Sequence, residues 1–226
     1  MKARTQTSFL FDLDGTLIDS VYDHVMAWSH ALHETGLEVS LWRIHRRIGM
    51  SGGLFSKALQ RELGVEIDEA LQVKLRTLHM EHYNAHSQRT RILPGARELL
   101  AHLSEHDIPW AIATSGRIET AGPVLKILGV DPAKQVVITR DMVRYAKPDP
   151  DLFLAAAEKL GVDVRSSCIV GDSIWDMLAA QRAGGLGIGL LSGGYDTDEL
   201  ERSGAYRVYE DPADMLDHLD EIGGRR

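Results

Sequence analysis

Apolar and polar positions divide the chain into two regimes. Ser8–Asp12 is apolar on both faces until Asp12, which predicts a short buried strand. Val21, Val25, Trp28 and Leu32 then recur at i, i+4, i+7 and i+11, the stripe of an amphipathic helix ending near Gly36. Trp42 to Arg47 forms a second helical piece, and Ile48-Gly49-Met50-Ser51-Gly52-Gly53 reads as a glycine-rich loop. Leu54–Leu63 resumes a helical pattern, and Leu71, Leu75 and Leu78 mark the inner face of a longer helix to about Ala85. Between Asp19 and about Gln88 no strand pattern occurs. The regime changes at Ile92-Leu93-Pro94-Gly95. Helix 96–105 follows, then strand Ile108–Ala113 running into Thr114-Ser115-Gly116, helix 118–128 and strand Gln135–Thr139. Asp149-Pro150 predicts a helix start with Asp as N-cap and Pro at the first turn. Ser167–Val170 is a strand opening into Gly171-Asp172, followed by helix 174–183 and strand-like Leu186–Leu191. Asp211-Pro212 opens a last helix, and Gly223-Gly224-Arg225-Arg226 is expected to fray.

Strands alternating with helices predict an α/β fold: a parallel sheet with helices on both faces. The helical stretch leaves this core after the first strand and returns before the second. The expected division is therefore a core of residues 1–18 and 89–226, with an all-helical insertion, 19–88, above the sheet's carboxyl edge. Composition narrows function by exclusion. The 226 residues are 44% hydrophobic and 26% charged, ordinary for a chain with a sizeable core. A net charge of −8 argues against a nucleic-acid partner, which needs a basic face. A single cysteine, Cys168, within an apolar run forms no disulfide framework and is expected to be a buried, inert thiol. The polar start and the short first apolar run predict no membrane segment, and a cytoplasmic protein.

The chemistry gathers at predicted strand ends. Asp12 and Asp14 are two residues apart, so they point the same way where Gly15 lets the backbone turn. Two like charges that close disfavour each other's ionisation unless a cation intervenes. Asp12 suits a carboxylate nucleophile toward phosphorus, and Asp14 an acid/base for the leaving oxygen and the attacking water. The Thr114 hydroxyl and the amides of Ser115 and Gly116 are candidates to cradle phosphate oxygens. Lys147 supplies positive charge, while Asp172, with Asp176 one turn later, completes a cation site. Four carboxylates against one lysine call for a hard divalent ion with oxygen ligands, most simply Mg²⁺. Arg46, Arg47 and Arg117 are further candidates for an anionic substrate. His79, Glu81, His82 and His86 lack a zinc spacing and are expected to be a solvated helix end, and Gly185, Gly187 and Gly189 to serve close backbone packing.

Asp12-Leu13-Asp14-Gly15-Thr16-Leu17, Thr114-Ser115-Gly116, Lys147-Pro148 and Gly171-Asp172-Ser173-Ile174-Trp175-Asp176, in that order, resemble the four motifs of the haloacid dehalogenase superfamily of phosphohydrolases. The resemblance spans essentially the whole chain. It implies a Rossmann-like core, an aspartyl-phosphate intermediate, Mg²⁺ held by Asp12, the Asp14 carbonyl and Asp172, and a helical cap that opens and closes. Within that family, Asp14 argues against the true dehalogenases, which lack an acid there. It argues also against phosphonoacetaldehyde hydrolases, whose cap lysine would have only Lys57 as counterpart. His24, within Asp23-His24-Val25-Met26-Ala27-Trp28, resembles the early cap helix of β-phosphoglucomutase, but that enzyme's cap-loop arginine is absent from residues 48–53. The favoured expectation is a phosphatase of a small-molecule phosphate ester, similar to phosphoglycolate phosphatase. The mutase and phosphonatase are alternatives, and a phosphoacceptor signalling or ligand-binding module is the non-enzymatic one.

Overall fold

The computed structural model of the chain describes residues 7–86 and 90–224. The expected boundary at 88/89, the side chain of His86 and the Arg225-Arg226 end lie outside the described residues. In chain order the elements are β1 (Ser8–Phe11), β2 (Ile18–Asp19), α1 (Val21–Glu34), α2 (Leu41–His45), α3 (Gly52–Leu63), α4 (Glu69–His86) and β3 (Arg91–Ile92). There follow α5 (Ala96–Glu105), β4 (Trp110–Ala113), α6 (Ile118–Leu128), β5 (Val136–Ile138), α7 (Asp151–Leu160), β6 (Ser167–Gly171) and α8 (Ile174–Ala183). The chain closes with β7 (Leu186–Leu190), α9 (Thr197–Arg202), β8 (Ala205–Tyr209) and α10 (Pro212–Asp217).

Six strands form one parallel sheet in the order β5-β4-β1-β6-β7-β8. Alternation along each strand sends side chains to opposite faces. Phe9 and Phe11, with Ile112, Cys168 and Val170, pack on one face against Leu99 and Leu103 of α5, Val124 and Leu125 of α6 and Met215 of α10. Leu10, Ala111, Ala113 and Ile169 face the other side, against Leu152, Phe153 and Ala156 of α7 and Ala179 and Ala180 of α8. Burial on both faces explains why β1 is a continuous apolar run. The glycines of β7 do serve close packing: a Cβ at Gly187 would sit 3.0 Å from the Gly204 carbonyl oxygen. Cys168 is buried, its thiol 3.4 Å from the Ile222 carbonyl oxygen, and burial pushes its pKa up to about 12.

The insertion is helical and has its own apolar cluster, in which Val25 and Leu32 of α1 meet Ile44, Phe55, Leu59 and Leu75. Several elements differ from the sequence expectation. Helix α3 begins at Gly52 and not Leu54, because Ser51 caps it by accepting the Leu54 amide at 3.4 Å. Helix α7 starts one residue later than expected, with Pro150 as N-cap, since Asp149 is tied into the preceding turn by its amide on the Ala146 carbonyl at 3.2 Å. Two-residue strands β2 and β3 pair antiparallel, Ile18 opposite Ile92 and Asp19 opposite Arg91, where the chain leaves and re-enters the core. Among the described residues no helix is long and apolar enough to cross a membrane.

Candidate active site

The carboxyl ends of β1, β4 and β6 lie side by side in the sheet, so the residues just beyond them converge: Asp12, Thr114 and Asp172. Lys147 joins them from the turn before α7 and is fully buried. Two glycines make room. Gly15 turns with φ 79°, and a Cβ there would lie 2.5 Å from Asp172 Oδ2; a Cβ at Gly193 would lie 1.8 Å from the same oxygen. No side chain other than hydrogen fits either position without moving that carboxylate.

Lys147 bridges two acids. Its ammonium pairs with Asp12 Oδ1 and stands 2.7 Å from Asp176 Oδ1. Those two oxygens are buried and have no other partner among the described residues. The second oxygen of Asp176 accepts from Ser173, at 3.1 Å from the amide and 2.5 Å from the hydroxyl. Both oxygens of Asp176 thus bond within the cluster, one to Lys147 and one at the start of α8. Asp172 Oδ1 accepts from Thr16 Oγ1 at 3.0 Å. Asp12, Asp172 and Asp176 each offer an oxygen within 4.8 Å of the others, the grouping a hard cation needs. Burial raises the Asp12 pKa to about 7, with Lys147 opposing and Asp176 and Asp14 reinforcing the rise. Asp172 is pushed well above its ordinary value, first by burial and then by Asp176 and Asp12. Lys147 stays charged, because the two carboxylates outweigh the cost of burying it. The cluster therefore carries more acid than one ammonium neutralises.

Asp14 lies at the rim and has a different environment. Its Oδ1 accepts from Ser20 Oγ at 2.6 Å and lies 3.2 Å from His24 Nε2. Burial acts to raise its pKa, but His24 and Ser20 outweigh it, and the net shift is downward. Two neighbouring carboxylates are thereby pushed in opposite senses, the pattern of groups with separate tasks. Ser20, His79 and Tyr83 escape a sequence reading. Their signal is the pairing of His24 and Trp28 on α1 with His79 and Tyr83 on α4, each pair four residues apart and hence on one helix face. The expectation of a solvated histidine cluster fails for His79, which reaches in to His24 at 3.1 Å. His82 behaves as expected, half-buried and paired with Glu34 at 2.7 Å.

Thr114 Oγ1 accepts the Gly116 amide at 2.9 Å, and Ser115 Oγ donates to the Gly49 carbonyl in the helical insertion at 3.0 Å. Further bonds across the same seam join His45 Nε2 with the Gly193 carbonyl at 2.8 Å, Tyr195 Oη to the Arg46 carbonyl at 3.1 Å, and the Ser51 amide to the Lys147 carbonyl at 2.9 Å. Between insertion and core a cavity of about 400 Å³ opens, with Asp12, Asp14 and Thr114 at its floor and Trp28, Met50 and Phe55 in its wall. Arg47 and Arg117 also line it, yet each has an acidic partner, Glu62 and Asp141 respectively. Arg46 pairs with Glu199 and lies over the Tyr195 ring, outside the lining. Lys57 is exposed on α3 and is not among the lining residues.

Comparison with known proteins agrees with this arrangement. A model of the haloacid dehalogenase-like hydrolases matches residues 7–184. Hexitol phosphatase A of Escherichia coli (strain K12) is 35% identical over 78% of this chain and 79% of its own length. A phosphoglycolate phosphatase of Agrobacterium fabrum is 33% identical over 85% of this chain and 83% of its own. The crystal structure of a hydrolase from Pseudomonas syringae, 55% identical, superposes with a TM-score of 0.95 over 96% of this chain and 100% of that one. A paired-acid strand end, a buried lysine and a capping helical insertion, matched along most of the sequence, place this chain in the haloacid dehalogenase-like hydrolase family, as a phosphoric monoester hydrolase.

Proposed function

We propose that this phosphatase is Mg²⁺-dependent and hydrolyses a small-molecule phosphomonoester through an aspartyl phosphate on Asp12. One observation carries the reading: Asp12 and Asp14, two residues apart on one cavity floor, have separate partners, Lys147 for Asp12 and Ser20 with His24 for Asp14. An Asp12 carboxylate oxygen attacks phosphorus, and the bond from phosphorus to the ester oxygen breaks. Asp14 delivers its proton to the departing oxygen, then takes one from the water that attacks the phosphoryl-Asp12 bond. Inorganic phosphate leaves, and Asp12 is a carboxylate again. Lys147 screens nucleophile from substrate, and the Thr114 hydroxyl with the Ser115 and Gly116 amides receives the phosphoryl oxygens.

The donor set fits Mg²⁺: Asp12 and Asp172, with the Asp14 carbonyl, are hard oxygens in a cluster short of positive charge, and Gly15 and Gly193 leave space beside Asp172. Bound there, Mg²⁺ would neutralise surplus charge and polarise the phosphoryl group. Residues 19–88 form the cap in this reading, and its wall selects the leaving group. The names of relatives support small organic phosphates, phosphoglycolate or hexitol phosphates. A mutase stays the second reading because His24 touches Asp14. Phosphate release from phosphoglycolate, hexitol phosphates, nucleotides and phosphonoacetaldehyde, with Mg²⁺ or with EDTA, tests the proposal. Mg²⁺-dependent release with multiple turnovers is expected; a single stoichiometric phosphorylation, or isomerised product without release, overturns it.

A further inference from the structure

Beyond the residues that touch the reacting atoms, the site contains a chain of donors running up into the insertion: His79 on α4, His24 on α1, then Asp14. His24 Nδ1 and His79 Nε2 are 3.1 Å apart. Their ring centroids are 5.2 Å apart with planes 15° from parallel. That separation is close to the N···N distance plus the two ring radii, so the imidazoles meet edge to edge in nearly one plane. Such geometry suits an N–H···N hydrogen bond, not face stacking. Each ring is also clamped by an aromatic face. His24 lies on Tyr83 at 4.0 Å and 3°, and His79 on Trp28 at 4.2 Å and 23°. Tyr83 itself is 1% exposed, so the plane of His24 is fixed from the core of the insertion.

We propose that His79 is a positioning residue: its Nε2–H donates to His24 Nδ1 and so locks His24 in the tautomer that presents Nε2–H to Asp14. The argument follows from donor and acceptor counting. Asp14 Oδ1 already accepts from Ser20 Oγ and the exchangeable proton belongs to Oδ2, so Oδ1 accepts again at 3.2 Å and His24 Nε2 carries the proton of that bond. A neutral imidazole protonated at Nε2 has a bare Nδ1, which needs a donor, and His79 Nε2 is placed to be one. Burial holds His79 well below the ordinary imidazole range, so it has a single ring proton to give. Ser20 Oγ and His24 Nε2 both bond Oδ1. The other oxygen, Oδ2, faces the Gly116 turn, where a Cβ on Gly116 would come within 3.7 Å of it. The consequence is a division of labour within one carboxylate. Oδ1 is anchored to α1 and, through His24, to α4; Oδ2 is the oxygen that exchanges the proton with substrate. His79 thus ties the aim of the acid/base to the seating of α4 without touching substrate chemistry itself.

This inference rests on the reading of Asp14 as acid/base, and the test separates the two. His79→Leu keeps an apolar side chain against Trp28 and removes the donor; His79→Gln restores an N–H at a similar reach. With the full chain, p-nitrophenyl phosphate and saturating Mg²⁺, His79→Leu is expected to lower kcat about tenfold with KM within about twofold, and His79→Gln to recover most of it. The ¹⁵N spectrum of the imidazoles should show His24 as the Nε2–H form in wild type and His79→Gln, and as a tautomer mixture in His79→Leu. Wild-type kcat in His79→Leu overturns the proposal. So does Gln no better than Leu, or an unchanged His24 tautomer. Failure of the Asp14 reading has a different signature: Asp14→Asn then turns over like wild type, while the His24 tautomer still reports on His79.

Discussion

Replacing Lys147 by Met keeps the length of the side chain and its packing on Phe153 but deletes the charge that holds Asp12 and Asp176. At 2.7 Å from Asp176, a unit charge pair has a gross attraction of about 6 kcal/mol at an effective dielectric of about 20. Desolvation of the ammonium offsets part of this in wild type, and leaving partners unpaired in a buried site typically costs about 3–5 kcal/mol. We therefore expect Lys147→Met, in EDTA at pH 7.5, to lose about 3–5 kcal/mol in urea unfolding. The pH dependence has a definite sign. Asp12 titrates near 7 when folded against 3.8 as a free carboxylate, so the folded state holds the extra proton and stability falls as pH rises through that window. Removing Lys147 raises the folded value further. At pH 5 the carboxylates take up protons, and the loss should be smaller than at pH 7.5; added Mg²⁺ should recover part of it at pH 7.5. A loss below about 1 kcal/mol at pH 7.5, or an equal or larger loss at pH 5, would refute the account of Lys147 as the cluster's counter-charge.

Asp12→Asn should bring phosphate release to background while the circular dichroism spectrum stays that of wild type, because an amide is a poor nucleophile toward phosphorus. Asp14→Asn should lower kcat by about 10²–10⁴ with the Mg²⁺ half-saturation within about twofold, since only its main-chain carbonyl belongs to the proposed ion site. A titration in which only metal affinity fell would reassign it as a ligand. Gly193→Ala drives a methyl to 1.8 Å from Asp172 Oδ2, so the carboxylate must turn; the Mg²⁺ half-saturation of phosphate release should rise about tenfold or more.

The core was legible because burial on both sheet faces leaves uninterrupted apolar runs, as in Phe9-Leu10-Phe11 and Cys168-Ile169-Val170, and the motifs at Asp12, Thr114 and Gly171 come where such runs end, while Lys147 lies in the turn before α7. Strand β8 was not, for the opposite reason. It pairs only with β7, and Tyr206 and Arg207 are exposed, so Ala205–Tyr209 lacks the pattern of a buried strand. Strands β2 and β3 are two residues each, too short for any periodicity. At the candidate site, residue type and spacing singled out Asp12, Asp14, Lys147 and Asp172, and the structure brings them together. Asp176, singled out by its spacing one turn after Asp172, does stand in the acidic group, and its bonds to Ser173 and Lys147 were not readable from spacing. The meaning of His79 depends on α1 and α4 lying against each other, a contact between residues 55 apart, and that of Ser20 on a turn that folds it back onto Asp14 six residues earlier.

Part of the seam between the insertion and the core is made by the insertion's backbone atoms. The carbonyls of Arg46 and Gly49 and the amide of Ser51 form the insertion's side of three bonds to Tyr195, Ser115 and Lys147. Main-chain groups survive side-chain replacement. The wall residue Met50 can therefore vary without unpicking those three bonds, whereas Phe55 belongs to the insertion's buried cluster and Trp28 lies against His79. Diversification of the leaving-group pocket and retention of docking geometry are separable in this architecture. A library randomised at Met50 varies the cavity wall on an insertion that still bonds Ser115 and Lys147 through its backbone.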